Sequence, residues 1–130
     1  DTFFNADIAN EGSDNFNFFT TDADGAGVEA GADQLQFSDA DLTGISGYTA
    51  STDGGALTLD NGDDVELVVG SGATATDAEA AFLFDTATGV LSFDPDGTGS
   101  ETAIEIGTLT SDGGVTAITD LTASDFTFIA

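Results

Sequence analysis

No side chain in this protein carries a positive charge. Lys, Arg and His are absent, whereas Asp and Glu number 25, for a formal net charge of −25. Whatever the chain folds into must hold its core together without internal side-chain ion pairs. Two carboxylates ~6 Å apart in water repel by roughly 0.7 kcal/mol, and by more beside an apolar surface. Relief has to come from solution, as salt screening or as bound cations. Against this repulsion the chain sets 40% hydrophobic residues, with 11 Phe and a single Tyr as its aromatics. That is not a disorder composition. Its 130 residues suffice for one domain with a modest core.

The missing residue types exclude several functions. Nucleic-acid backbones are held largely by Lys and Arg, so no nucleic-acid partner is expected. A basic face for anionic membranes is ruled out in the same way. Zinc, iron and copper sites usually draw on His or Cys, and neither occurs. A Ser or Thr nucleophile would lack its usual activating base. Paired carboxylates can hydrolyse glycosides, but a small chain with no Trp and only Tyr48 makes a poor sugar cleft. The expectation is therefore no enzyme and no catalytic residues. No run of about 18 apolar residues occurs, so no membrane insertion is expected.

The apolar residues alternate in short segments, which is the period of half-buried strands. Asn15-Phe16-Asn17-Phe18, Leu35-Gln36-Phe37, Leu57-Thr58-Leu59 and Val65–Val69 read this way, as do Ile104-Glu105-Ile106 and Phe126–Ile129. Phe82–Asp85 and Val90–Phe93 read as a hairpin around a Gly-containing loop. Most of the 17 glycines fall between such segments, as turn residues should. Ser38-Asp39-Ala40-Asp41 and Thr122-Ala123-Ser124-Asp125 resemble capping boxes and predict one helical turn each. Thr76–Ala81 also suits a helix. No linker divides the chain. The expectation is one all-β domain over residues 1–130, an antiparallel β sandwich or short β-roll-like module with one or two single-turn helices.

Eight Phe at strand spacing, Phe16, Phe18, Phe37, Phe82, Phe84, Phe93, Phe126 and Phe128, are candidate core. Phe3 and Phe4 lie within residues 1–10, where an apolar strand can complete the sheet of a neighbouring subunit or pack on its own domain.

Two loops share the pattern D-x-D-G-x-G, at Asp22–Gly27 and Asp94–Gly99. Alternate aspartates can turn their carboxylates to one point, and the glycine lets the chain turn so that carbonyls join them. Ca²⁺ takes six to eight oxygens, which such loops supply. The candidate ligands are Asp22 and Asp24 with Glu29 downstream, and Asp94 and Asp96 with Glu101 downstream. Asp60, Asp63 and Asp64 form a third oxygen-dense segment. Solvated Asp-Gly turns are the competing reading of all three.

Three stretches, Gly31–Ser38, the run Phe82–Gly99 containing F-D-P-D-G-T-G, and Leu121–Phe126, together resemble the C-terminal region of RTX-type (hemolysin-type) calcium-binding proteins. The likeness spans roughly the last hundred residues. It implies export by a type I secretion machinery through a C-terminal address, and so a secreted, extracellular or cell-surface location. This would fit the lack of a basic and apolar leader pattern from Asp1 onward. The tandem G-G-x-G-x-D nonapeptides of that family are absent, so its roll sites do not carry over. The expectation is a calcium-stabilised protein that assembles with itself into a filament, layer or matrix. Alternatives are a secretion and folding module of a larger enzyme or adhesin, and a Ca²⁺-dependent binder of extracellular glycans. Acidity as adaptation to high salt would need no ion site.

Overall fold

The computed structural model describes residues 2–5, 14–17, 34–48, 65–110 and 121–129. Among these residues eight strands form two sheets. β1 (Thr2–Asn5), β3 (Gln34–Ser38) and β8 (Phe126–Ile129) make a three-stranded sheet in the order β1-β3-β8. β2 (Asp14–Asn17), β4 (Glu66–Gly70), β5 (Ala81–Asp85), β6 (Val90–Asp94) and β7 (Ile104–Thr110) make the other, in the order β2-β7-β6-β5-β4. The all-β expectation holds, and every expected strand within the described residues is a strand. Leu57–Leu59, Phe18 and the D-x-D-G loop at Asp22 lie outside them.

Strand direction departs from a simple antiparallel sandwich. Only β5–β6 and β6–β7 pair antiparallel. β1–β3, β3–β8, β2–β7 and β4–β5 pair parallel. Alternation within a strand reveals which residues share a face but not the direction of the neighbour, so the sequence carried no signal for this.

The two sheets close on one aromatic core. Phe37, Phe82, Phe84, Phe93, Leu35, Leu91, Ile106 and Leu109 are essentially inaccessible to solvent. The Phe82 ring is central, with the rings of Phe37, Phe93 and Phe126 each 5.0 Å away by centroid. Such spacings suit offset and tilted aromatic pairs. Phe128 is half-buried against the same cluster. The Phe residues expected in the core are there wherever their side chains are described.

A bulge resolves a conflict in β7. Strict alternation would put Ile104 and Ile106 on one face and Leu109 on the other. Leu91 pairs with Gly107 but Ser92 pairs with Glu105, leaving Ile106 as an extra residue. The phase shifts by one there, so Ile106 and Leu109 both reach the core.

Both helical turns form. Ser38 precedes α1 (Asp39–Thr43) and its hydroxyl accepts the Asp41 N–H at 3.4 Å. A 3-10 turn at Ala123–Asp125 is closed by a capping box in which the Asp125 carboxylate accepts the Thr122 N–H at 2.9 Å. α1 delivers a buried Leu42 to the core, and Tyr48 beyond it stacks on Phe93 at 6.4 Å. The expected helix at Thr76–Ala81 is not formed. Thr76 instead gives its N–H and hydroxyl to the buried Glu66 carboxylate, and β5 begins at Ala81. Tertiary hydrogen bonding there outweighs a weak local helix preference.

Replacing Phe82 with Ala should remove the ring around which three others pack. The expected cost is about 3–5 kcal/mol, read as a lower urea midpoint at unchanged slope. A change below 1 kcal/mol would show that this ring is not central.

Candidate acidic loop and groove

Asp94 ends β6 on the sheet face turned away from the aromatic core, and the chain then turns through Pro95, Asp96 and Gly97. Asp94 is 9% exposed. Its Oδ1 accepts the Asp96 N–H at 3.3 Å. The Asp96 carboxylate folds back over Gly99, and its Oδ2 accepts the Glu101 N–H at 3.1 Å. Asp96 Oδ1 is buried with no hydrogen-bond partner among the described residues. Burial holds the Asp94 carboxyl above the ordinary carboxylate range. The Asp96 N–H opposes that shift, while a hydrogen bond to the Asp96 carboxyl and repulsion from it add to it.

Two glycines make this geometry possible. Gly97 has φ +60° and sits where a Cβ would strike the carbonyl oxygens of Asp77 and Glu79. Thr98 donates its N–H to the same Asp77 carbonyl at 2.7 Å, tying the loop to residues 71–80. Gly99 leaves room for the Asp96 carboxylate, which a Cβ would strike.

The structure thus brings Asp94 and Asp96 together, as the D-x-D-G-x-G pattern predicts. Glu101 joins through its N–H, while its side chain lies along Gly47, with Cγ 2.6 Å from where a Cβ there would stand. Among the described residues no three acidic side chains gather as a metal-holding group. Asp22, Asp24, Glu29, Asp60, Asp63 and Asp64 lie outside the described residues. Phe3 and Phe4 lie in β1, whose backbone pairs with Leu35 and Gln36 of β3 in the same chain.

Sequence reasoning missed Asp85. Its Oδ1 accepts the N–H of Ala87 at 2.9 Å and of Gly72 at 3.2 Å, joining the β5–β6 turn to the loop after β4. These amides, Ala87 first, hold its carboxyl below the ordinary range. Aspartate two residues before a turn amide is a known local signal, but the bond to Gly72 is tertiary and left no trace in the sequence. Between these parts lies an open groove of about 610 Å³, lined by Ala73, Leu83, Asp85, Val90, Ser92 and Asp94 among others.

No protein-family model matches the chain, and no curated protein or solved structure matches it either.

Two substitutions separate conformational strain from collision. Gly72 has φ +67° with nothing within 4 Å of a Cβ, whereas Gly97 has a similar φ with two carbonyls in the way. Gly72→Ala should cost about 1–2 kcal/mol, and Gly97→Ala clearly more. Equal costs in chemical unfolding would remove the close packing of the two loops.

The raised Asp94 carboxyl sets the sign of a pH effect. The folded state holds this proton more tightly than the unfolded chain, so its contribution is fully present below about pH 4 and is lost as pH rises through the folded value. At neutral pH without added cations, Asp94→Asn should therefore raise Tm and flatten the decline above pH 4. A lower Tm with an unchanged pH profile would contradict this.

Proposed function

We propose that this is a secreted, non-enzymatic structural protein, stabilised by Ca²⁺ and assembling with copies of itself into an extracellular filament, layer or matrix. The observation that carries the ion is the Asp94–Asp96 pair. Two carboxyls are held together, one nine-tenths buried, and Asp96 Oδ1 is buried without a hydrogen-bond partner among the described residues. A protein with Lys or Arg could answer such a pair internally, but this one has neither. Ca²⁺ accepts carboxylate and carbonyl oxygens together with water and tolerates irregular geometry. Asp94 and Asp96 would supply carboxylate oxygens, and solvent the remainder.

Sheet direction supports assembly. Among the described residues β1 and β8 edge a sheet whose three strands all run the same way. β2 and β4, at the edges of the other sheet, also run in one direction. A second copy placed beside the first can pair β1 against β8 in parallel and continue the sheet. Such contacts are heterologous and propagate into open filaments. An exchanged β1 would make with its neighbour the ladder it makes with its own β3. Each added copy brings 25 more acidic residues, so bound cations would favour the contact.

Millimolar Ca²⁺ should raise Tm by several degrees, EDTA should reverse the rise, and equal ionic strength from NaCl should not reproduce it. Electron microscopy in Ca²⁺ at neutral pH should show ordered assemblies. A melt that responds only to molar NaCl or KCl would replace the ion site with salt adaptation, and dispersed monomers under all conditions would end the assembly reading.

A further inference from the structure

The groove on the outer face of the β5–β6 hairpin has a regular layout. Phe82, Phe84, Leu91 and Phe93 point to the core, so alternation turns Leu83 and Asp85 of β5, with Val90, Ser92 and Asp94 of β6, to the opposite face. Ala81 faces Asp94 across the hairpin and Leu83 faces Ser92. Asp85 and Val90 flank the connecting turn. Asp85 and Asp94 therefore occupy diagonal corners of the face, with Leu83 and Ser92 in the row between them and Val90 across from Asp85. Four strand rises separate the rows, roughly 14 Å at ~3.4 Å per residue. Ala73 and Ala75 form a side wall, and the hydroxyl-bearing Thr74, Thr88 and Thr98 also line the cavity. A volume of about 610 Å³ lies within the range of small-molecule pockets.

We infer that this groove binds a linear diammonium ion, an alkyl chain with a cationic amine at each end. The acidic ends would each take an ammonium group, and Leu83 in the middle of the face with Val90 at its Asp85 end would take methylenes. Removing about 2.8 Å of hydrogen bond at each end from the roughly 14 Å between the backbone rows leaves room for a chain of five or six carbons. Charge complementarity selects the class. The chain has no side-chain cation, and Asp94 is nine-tenths buried at one end of the cavity. An anion is repelled by both ends. A sugar would lack a stacking surface, since no aromatic residue among the described ones lines the groove.

The test is an NMR titration of the isotope-labelled protein in EDTA and 0.15 M KCl. The probes are 1,6-diaminohexane, hexylamine, 1,2-diaminoethane and hexan-1-ol. The diamine should shift the amide signals of Gly72, Ser92 and Thr98 saturably. It should bind at least tenfold more tightly than hexylamine or 1,2-diaminoethane, and hexan-1-ol should be weaker still. Asp94→Asn and Asp85→Asn should each weaken the diamine by tenfold or more and leave hexylamine less affected. Thr74→Phe, at an exposed rim position, should block binding while preserving the spectrum of the hairpin. Equal binding of diamine and hexylamine would overturn the proposal, as would non-saturating shifts spread over the acidic surface. Retained binding in a natively folded Thr74→Phe would do the same. Because chelator is present throughout, the outcome does not depend on the Ca²⁺ reading. Adding Ca²⁺ afterwards should displace the diamine if both use Asp94, whereas diamine binding indifferent to Ca²⁺ would count against the ion site alone.

Discussion

Carboxylates in this protein are held by N–H and O–H donors, because no side-chain cation exists to hold them. Glu66 takes the Thr76 amide and hydroxyl, Asp77 the Glu79 amide, and Asp85 those of Ala87 and Gly72. Asp94 and Asp96 take those of Asp96 and Glu101, and Asp125 that of Thr122. Hydrogen bonds to a charged acceptor are stronger than neutral ones. They leave the negative charge in place, however, and a fold built this way keeps its long-range repulsion. The architecture follows from that remainder. Among the described residues the acids that are buried, Glu66, Asp94 and Asp125, each take such a donor, and the central core is left to aromatic and aliphatic groups.

The core is correspondingly one-sided in chemistry. Phe82 and its ring neighbours join β3 and β8 of one sheet to β5 and β6 of the other. Apolar burial is insensitive to net charge at the level of contacts, so it can offset a repulsion that no local pairing removes. The second face of the five-stranded sheet has the opposite character. There Glu66, Asp85 and Asp94 stand among small and hydroxyl-bearing residues under the loop at 71–80. One sheet thus separates a dry aromatic side from an acidic side.

Much of this was legible from residue order. Alternation placed the strands, and the spacing of Phe82, Phe84 and Phe93 identified them as core. Ser38 and Thr122 marked both helical turns, since a cap is a local event encoded within four residues. The D-x-D-G-x-G pattern brought Asp94 and Asp96 together for the same reason. What escaped was set by distant partners. Parallel pairing, the role of Asp85 and the loss of a helix at Thr76 each depend on groups far away in sequence. Alternation over Ile104-Glu105-Ile106 gave no sign that Ile106 would be the extra residue of a bulge. The groove could not be foreseen, because its walls come from three separate segments.

The parallel ladders also bear on how the chain reaches this state. Asp14 of β2 must find Gly107 of β7, and Leu35 of β3 must find Phe126 of β8. Neither sheet can be completed by neighbours in sequence, although β5–β6 and β6–β7 pair consecutive strands. Folding that waits on such distant contacts is slow, because loop-closure entropy is spent before the pairing rewards it. The hairpin carrying Phe82 and Phe93 needs the shortest loop closure of these pairings. A chain stopped before β8 would expose Phe37 and leave β3 without its second partner. Completion of the fold is therefore tied to the arrival of its C-terminal strand, and any agent that delays that strand prolongs an open, Phe-rich and mutually repelling intermediate.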